Sequence, residues 1–225
     1  MTFVLIPGAG GTAWYWHRVQ AELAARGHDA VAVELPAGRA DDLAAYADAV
    51  VEAAGEPDAV TLVAQSMGGF TAALAAERLP VRAIVFLNAM IPVPGETPSG
   101  WWDAVGHADA MRTSDLAAGR DPAAPFDLAT YFLHDLSDDL AAQLSQHGGQ
   151  DTAALFGSIC DFARWPDVPM RVMAGRDDRF FPLDFQRGVA RDRLGSDVDE
   201  VPGGHLAALS HPAEVAQVML DFGFE

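Results

Sequence analysis

The fold is decided by the stretch Val60-Thr61-Leu62-Val63-Ala64-Gln65-Ser66-Met67-Gly68-Gly69. Its β-branched and apolar first half predicts a buried strand over residues 59–64, and the small residues that follow predict a helix over 67–79. A serine on a tight turn between a strand and a helix has the setting of a nucleophile elbow, where the hydroxyl projects from the sheet edge. Such a turn requires small residues two positions before and after the serine, and Ala64 and Gly68 occupy these positions. The alternative interpretation is a serine that caps the helix N-terminus.

Strands and helices alternate on both sides of this stretch. Apolar runs that end at turn residues predict the strands, and apolar residues at helical spacing predict the helices. The alternation has the length of βαβ units, which predicts an α/β fold with a doubly wound, mostly parallel sheet. The predicted strands are residues 2–6, 30–35, 59–64, 82–87, 169–174 and 197–201, and the predicted helices are residues 14–25, 41–54, 67–79, 127–147, 183–194 and one from 212.

The alternation breaks between residues 91 and 166, after the fourth predicted strand. This stretch contains eight aromatic residues, several prolines and glycines, and one amphipathic helix near residues 127–147. An insertion that follows the carboxyl end of a strand in an α/β sheet usually covers the active site. We therefore predict a core of residues 1–90 and 167–225, with residues 91–166 as a small helical cap.

The composition excludes several classes of function. A chain of 225 residues suffices for one large domain with a sizeable core. The formal net charge is −18, and all fourteen cationic side chains are arginines. A surface this acidic repels phosphate backbones, so we expect no nucleic-acid partner. The absence of lysine excludes Schiff-base chemistry, lysine general bases and lysines of phosphate-binding loops.

The sequence also predicts a cytoplasmic location. No apolar run is long enough to cross a bilayer, and the first residues lack the basic region and cleavage site of a signal peptide. The single cysteine, Cys160, cannot form an intramolecular disulfide and fits a reducing compartment. Because Cys160 lies in an apolar stretch without a basic neighbour close in sequence, we expect a buried structural thiol.

A glycine-rich loop follows the first predicted strand, in the stretch Ile6-Pro7-Gly8-Ala9-Gly10-Gly11. Three glycines in four positions allow backbone N–H groups to point into a cavity. A phosphate-binding loop is the alternative, but the spacing is not the dinucleotide fingerprint and no lysine follows. Combined with the elbow, the loop predicts half of an oxyanion hole. The N–H groups of Ala9 and Met67 would converge on a developing alkoxide.

A nucleophilic serine needs a base, and the base needs a carboxylate that orients it. His205 follows the flexible stretch Pro202-Gly203-Gly204 between a short strand and the last helix, which favours it as the base. Asp177 and Asp178 compete for the carboxylate in the turn after the fifth predicted strand. We favour Asp178, since Asp177 would be free to bond backbone amides within the turn. The other histidines lie in helical or polar segments and are expected at the surface: His17, His28, His107, His134, His147 and His211.

The order Ser66, Asp178, His205 along the chain is the order of α/β-hydrolases. The whole chain resembles the branch of this superfamily that contains plant methylesterases, α-hydroxynitrile lyases and many small bacterial esterases. The resemblance implies a first strand at the very start of the fold, a small cap and no cofactor. It also assigns the acid to Asp178, which precedes Pro182 by four residues. The stretches that carry it are Phe3-Val4-Leu5-Ile6-Pro7-Gly8-Ala9-Gly10 with Ala13-Trp14-Tyr15-Trp16, Gln65-Ser66-Met67-Gly68-Gly69, Phe86-Leu87-Asn88-Ala89-Met90-Ile91-Pro92, and Gly204-His205 with Ser210-His211-Pro212.

Two positions depart from the pattern of that branch. The histidine that usually precedes the oxyanion glycine is Pro7 in this chain, a change that bacterial relatives tolerate. Members that cleave cyanohydrins use a lysine directly after the catalytic histidine, where this chain has Leu206. The second departure favours hydrolysis over lyase chemistry.

We therefore expect a serine hydrolase that cleaves an ester, thioester or lactone through an acyl-enzyme. The substrate is a small or medium, largely apolar molecule, and a homodimer is the candidate assembly. A biosynthetic cyclase or thioesterase that uses the same residues, a ligand-binding member without turnover and a hydroxynitrile-lyase-like enzyme are the alternatives. No metal is expected. Candidates for the apolar pocket wall are Trp14, Met67, Met90, Trp101, Trp102, Phe126, Tyr131, Phe132 and Leu206.

Overall fold

A six-stranded sheet forms the centre of the computed structural model, which describes residues 2–36, 42–147 and 151–223. The strand order is β2-β1-β3-β4-β5-β6 and every neighbouring pair is parallel. The chain runs outward from β1 to β2 and returns to β3 on the other side of β1. The carboxyl ends of β1 and β3 therefore flank a topological switch point, where ligands of α/β sheets bind. The strands are β1 (Thr2–Ile6), β2 (Asp29–Ala32), β3 (Val60–Ser66), β4 (Val81–Ala89), β5 (Met170–Gly175) and β6 (Val198–Val201).

Helices cover both faces of the sheet, as the doubly wound prediction requires. Alternate residues of a strand point to opposite faces. In β1, Val4 and Ile6 pack in the core beneath the second and third helices, whereas Phe3 and Leu5 pack beneath the first and last. The predicted α/β fold is confirmed. The helices are α1 (His17–Ala25), α2 (Leu43–Ala54), α3 (Gly68–Ala76), α4 (Pro98–Ala104), α5 (His107–Ala117), α6 (Asp138–His147), α7 (Leu183–Leu194), α8 (Ala207–Ser210) and α9 (Pro212–Asp221).

The segment between β4 and β5 is more helical than predicted. Two helices, α4 and α5, were not expected from the sequence, and the single helix predicted over residues 127–147 is divided. Asp127 accepts hydrogen bonds from the amides that follow it and starts a short π-helical turn, Ala129–Leu133. Ser137 then accepts from the amide of Leu140 and starts α6 separately. Local capping side chains therefore overrode a continuous apolar pattern.

Two further sequence predictions concern helix α2 and the membrane. Asp42 caps α2, because its Oδ1 accepts a 3.0 Å hydrogen bond from the amide of Ala45. Asp41, the other residue predicted to open this helix, lies outside the described residues. Within the described part of the chain, no helix has the length and apolarity needed to span a membrane.

Gly69 allows α3 to lie directly against the chain that leaves β4. A Cβ at this position would overlap the carbonyl oxygen of Met90. Replacing glycine by alanine inside a helix ordinarily stabilises it by about 1 kcal/mol. For Gly69→Ala we expect the opposite, a loss of about 1–3 kcal/mol in the free energy of unfolding, since overpacking forces the backbone to move.

Gly188 in α7 provides the matched control, because the nearest atom to a Cβ placed there is 4.0 Å away. Gly188→Ala should raise the free energy of unfolding by about 0.5–1 kcal/mol. Urea denaturation of the two variants and the parent measures both values. A Gly69→Ala protein as stable as the parent would contradict the close approach.

Candidate active site

Ser66 is the last residue of β3 and stands on a strained turn. Its φ is 52°, a left-handed value that a non-glycine residue adopts only where the surroundings enforce it. Helix α3 begins two residues later at Gly68, where a Cβ would lie only 2.7 Å from the carbonyl oxygen of Pro7. Ala64 is fully buried and pairs with Phe86 in the sheet. The turn therefore has the small flanking residues that the sequence predicts for an elbow.

The glycine loop after β1 lies beside Ser66. The amide of Gly8 donates a 3.1 Å hydrogen bond to Oε1 of Gln65, and a Cβ at Gly8 would come within 2.7 Å of the Cβ of Ser66. Among the described residues, none accepts a hydrogen bond from the amide of Ala9 or of Met67. Met67 directly follows Ser66 at the N-terminal end of α3, where the helix dipole favours negative charge, and Ala9 of the loop lines the same cavity as Ser66.

Asp178 and His205 form a buried pair at the ends of β5 and β6. His205 Nδ1 lies 2.8 Å from Asp178 Oδ2. The other oxygen, Oδ1, accepts hydrogen bonds of 2.9 and 2.8 Å from the amides of Phe180 and Phe181, which fix the carboxylate. The neighbouring Asp177 is exposed. The structure thus places the favoured aspartate, and not its neighbour, on the imidazole.

The carboxylate also determines where the imidazole proton lies. An ionised carboxylate only accepts hydrogen bonds, so the proton of neutral His205 resides on Nδ1 and the lone pair on Nε2. Nε2 is buried and has no hydrogen-bond partner among the described residues. Because His205 and Ser66 line the same cavity, Nε2 is available as a proton acceptor there.

Three phenylalanine rings enclose the imidazole of His205. The ring centroids of Phe132, Phe180 and Phe181 lie 4.7, 5.2 and 4.9 Å from that of the imidazole. Such a shell excludes water from the Asp178–His205 hydrogen bond and so strengthens it electrostatically.

The backbone of His205 is held by two side chains to which the sequence analysis gave no role. Asn88 Nδ2 donates to the carbonyl oxygens of Gly204 (2.9 Å) and His205 (3.2 Å), and its Oδ1 accepts from the amide of Gly175 (2.6 Å). Gln65 Nε2 donates to the His205 carbonyl at 3.3 Å. Asn88 is the extra residue of a bulge in β4 and has a φ of 47°. The signal in the sequence that could have indicated this role is a single amide side chain, Gln65 or Asn88, near the end of each of two apolar strands.

A cavity of about 350 Å3 opens over Ser66 and His205. The expected pocket residues Trp14, Phe132 and Leu206 line it, together with Ala9. Trp14 is stacked between two imidazoles, with centroid distances of 4.7 Å to His17 and 4.8 Å to His147. The insertion between β4 and β5 contributes one wall, formed by Leu128, Phe132, Leu133, Ala141, Leu144, Ser145 and His147.

The other expected pocket residues are not among those lining this cavity. Trp101 is fully buried in the core and donates its Nε1–H to the carbonyl of Ile91. The Tyr131 hydroxyl donates to Asp115, and Phe126 stacks on the Tyr131 ring at the surface. Large side chains of a short insertion pack where they bury most area, and the sequence does not show which face that is. Met67, Met90 and Trp102 likewise pack in or against the core.

The structure also corrects the surface assignment of His107. This residue of α5 is buried, and its Nε2 donates a 2.8 Å hydrogen bond to the carbonyl of Phe180, two residues after Asp178. Burial lowers the pKa of His107, and this effect outweighs the Phe180 carbonyl, which raises it. Burial therefore favours the neutral form of His107. His134 is also partly buried, with an enclosed Nε2.

The lowered pKa of His107 predicts a pH-dependent stability. As the pH falls below about 6.5, the unfolded chain binds a proton at this site before the folded chain does, so the free energy of unfolding decreases. In His107→Gln the amide retains a donor for Phe180 but does not titrate. We expect a smaller decrease in the free energy of unfolding between about pH 7.5 and about pH 5.5 in the variant. Equal decreases, measured by urea denaturation, would contradict this assignment.

Cys160 is buried, as expected, and burial raises the pKa of its thiol to about 12. Within residues 2–36, 42–147 and 151–223, no cluster of three or more histidine, cysteine, aspartate or glutamate side chains could hold a metal ion.

A parallel sheet with a serine on a left-handed turn after its third strand, and an aspartate–histidine pair after its last two strands, defines an α/β-hydrolase fold. The model of the alpha/beta hydrolase family matches residues 3–218, and the chain belongs to this family. The crystal structure of polyneuridine aldehyde esterase superimposes with a TM-score of 0.80 at 23% identity, covering 98% of each chain.

Relatives at the sequence level belong to the branch that the motifs indicated. Methylesterase 7 of Arabidopsis thaliana is 29% identical over an alignment of 248 residues, covering 97% of this chain and 95% of the relative. Polyneuridine aldehyde esterase of Rauvolfia serpentina is 28% identical over 250 residues, covering 97% and 94%. An α-hydroxynitrile lyase of Arabidopsis thaliana is 28% identical over 241 residues, covering 95% and 93%. The resemblance to this branch is confirmed.

Proposed function

We propose that the protein hydrolyses carboxylic esters of small to medium apolar molecules through an acyl-enzyme on Ser66. His205 is the general base and acid, Asp178 orients it, and the amides of Ala9 and Met67 form the oxyanion hole. One observation carries the proposal. The unpartnered, buried Nε2 of His205, whose Nδ1 is fixed by Asp178, borders the same cavity as a serine on a left-handed strand-to-helix turn.

The proposed reaction has two halves. Ser66 Oγ attacks the ester carbonyl carbon while His205 Nε2 takes the hydroxyl proton, and the negative charge develops on the carbonyl oxygen. That oxygen is stabilised by the two amides; loss of one such donor typically costs about 3 kcal/mol of barrier. The C–O bond to the alcohol then breaks as His205 returns the proton to the leaving oxygen. In the second half, His205 takes a proton from water while the water oxygen attacks the acyl carbon. The bond from that carbon to Ser66 Oγ then breaks, the acid leaves and His205 returns the proton to Ser66.

The cavity supports a small neutral substrate. Its volume of about 350 Å3 lies near the lower end of the range of small-molecule sites. No aspartate, glutamate or arginine is among the described residues that line it, so a charged group would lose hydration there without a partner. Relatives named as a methylesterase and an aldehyde esterase fit this assignment. We also propose residues 91–166 as a cap over the site.

Leu206 argues against lyase chemistry. This residue follows His205 directly, lines the cavity and supplies only hydrocarbon at the position where the family resemblance implies a lysine in cyanohydrin-cleaving members. The chain has no lysine that could substitute for it. The homodimer and the cytoplasmic location stay predictions.

The proposal is tested by covalent labelling. A fluorophosphonate should phosphonylate the folded protein once, and peptide mass spectrometry should place the label on Ser66. A panel of p-nitrophenyl esters and matched thioesters of increasing acyl length then defines the preference. Label on any other residue, or none together with no turnover of the panel, would refute the proposed function.

A further inference from the structure

Asp135 of the insertion contacts the loop that carries His205. Its Oδ2 accepts two hydrogen bonds of 2.7 Å, one from the amide of Gly204 and one from the hydroxyl of Ser210. Gly204 directly precedes His205, and Ser210 ends α8, the helix that follows it. A single carboxylate oxygen therefore binds the backbone before the histidine and a side chain after it.

The peptide before His205 needs external support. It consists of two glycines, the residues with the greatest backbone freedom, and Gly203 has a φ of 96°. A Cβ at Gly204 would lie 2.7 Å from His134 Nε2 and 3.1 Å from Asp135 Oδ1. The insertion is thus packed against this backbone more closely than a side chain would permit.

The carbonyl group of the same residue, Gly204, is held by the core. Asn88 donates to the carbonyl oxygen of Gly204, while Asp135 accepts from its N–H. The core therefore donates to the carbonyl oxygen of Gly204, and the insertion accepts from its N–H. Hydrogen bonds with an ionised partner are shorter and stronger than neutral ones, so the contact from the insertion is not the weaker of the two.

We infer that Asp135 is a positioning residue for His205, and that the insertion helps to place the base in addition to lining the cavity. The inference rests on the proposed function, in which His205 carries the proton. Without Asp135 the N–H of the Gly203–Gly204 peptide loses its acceptor, and this peptide is held only through the Gly203 carbonyl oxygen, which accepts from the Asp177 amide at 3.0 Å. The loop is then less constrained, and the imidazole shifts relative to Ser66. A displacement of this kind costs up to about a hundredfold in rate while leaving the substrate cavity in place.

Three variants test the inference. Asp135→Ala removes both hydrogen bonds, and Asp135→Asn keeps an acceptor oxygen for the Gly204 amide. Asp139→Ala is the matched control, because Asp139 is an exposed aspartate at the start of α6 outside the cavity lining. Should Asp135→Ala not fold, Asp135→Ser replaces it, since the shorter side chain does not reach Gly204.

The first measurement is hydrogen–deuterium exchange over residues 203–210, which needs no turnover. Asp135→Ala should exchange about ten- to a hundredfold faster than the parent, because a hydrogen bond to a charged group is lost. Asp139→Ala should exchange as the parent does. Unchanged exchange in Asp135→Ala would overturn the inference.

The second measurement separates positioning from general destabilisation. Asp135→Ala should lower kcat for a short p-nitrophenyl ester by about ten- to a hundredfold with KM within about threefold of the parent, and Asp135→Asn should recover most of kcat. A loss confined to KM, or an unchanged kcat, would overturn the inference. If the parent itself neither hydrolyses esters nor reacts with the fluorophosphonate, the proposed function fails. The exchange measurement then decides by itself whether Asp135 holds the loop.

Discussion

Ser66→Ala is expected to lower kcat for short p-nitrophenyl esters by about a million-fold, to a rate close to that of a protein without a nucleophile. In the proposed mechanism the Ser66 hydroxyl forms the acyl bond, and Ser66 lines the described cavity together with His205. Among the described residues, none forms a hydrogen bond with Ser66 Oγ, so its removal leaves no polar group of the described fold without a partner. We therefore expect the free energy of unfolding to change by less than about 1 kcal/mol.

Ser196→Ala is the control for this variant, since Ser196 follows α7, is only partly buried, donates its hydroxyl to the neighbouring Asp197 carbonyl and lies outside the cavity lining. Its kcat and KM should equal those of the parent. The two proteins are compared by initial rates, by active-site titration with the fluorophosphonate and by urea denaturation. Appreciable hydrolysis by folded Ser66→Ala would remove the serine from the proposed mechanism.

Asp178→Asn is expected to lower kcat by about ten-thousandfold near neutral pH, although the substitution is isosteric. The Asp178 Oδ1 position accepts from two amides, so an asparagine must place its oxygen there and its NH2 group toward His205. Nδ1 of the imidazole would then have to accept a hydrogen bond, which moves the proton to Nε2. A protonated Nε2 cannot take the proton of Ser66.

The adjacent aspartate offers a matched control for the same chemical change. Asp177→Asn removes an equal charge one residue away, but Asp177 is exposed and makes no contact with His205. We expect kcat within about threefold of the parent, because the charge is screened by solvent. A loss of the same size in both variants would show that charge in this loop, and not the orientation of His205, controls the rate.

The residues of the proposed site that the sequence predicts are those whose chemistry requires a particular residue type within a short, recognisable stretch. Ser66 was predicted as the nucleophile because the strand, the tight turn and the small residues Ala64 and Gly68 are contiguous. His205 was predicted as the base because two glycines precede it. The choice of Asp178 over Asp177 was harder, since both are in one turn. It rested on the freedom of Asp177 to bond backbone amides and, through the family resemblance, on the spacing of Asp178 to Pro182.

The cavity wall was predictable only in part, because it depends on contacts between distant segments. Trp14 and Phe132 line the cavity as expected, whereas Trp101 and Tyr131 pack elsewhere. All four are large aromatic residues, so neither the residue type nor the local spacing shows which of them line the cavity and which pack elsewhere. The same reason explains the unexpected burial of His107, whose partner Phe180 is 73 residues away.

By itself, the sequence determined the parallel α/β sheet, the order of the proposed nucleophile, acid and base, and the exclusion of lysine chemistry, because these follow from periodicity, turn chemistry and residue identity. Only the tertiary structure decided which polar side chains hold the loop of His205. Asn88, Gln65 and Asp135 come from three distant segments and bond the backbone of Gly204 and His205. Such hydrogen bonds require donor and acceptor atoms within about 3 Å of each other. Segments that are far apart in the sequence come this close only after the sheet and the insertion have packed together.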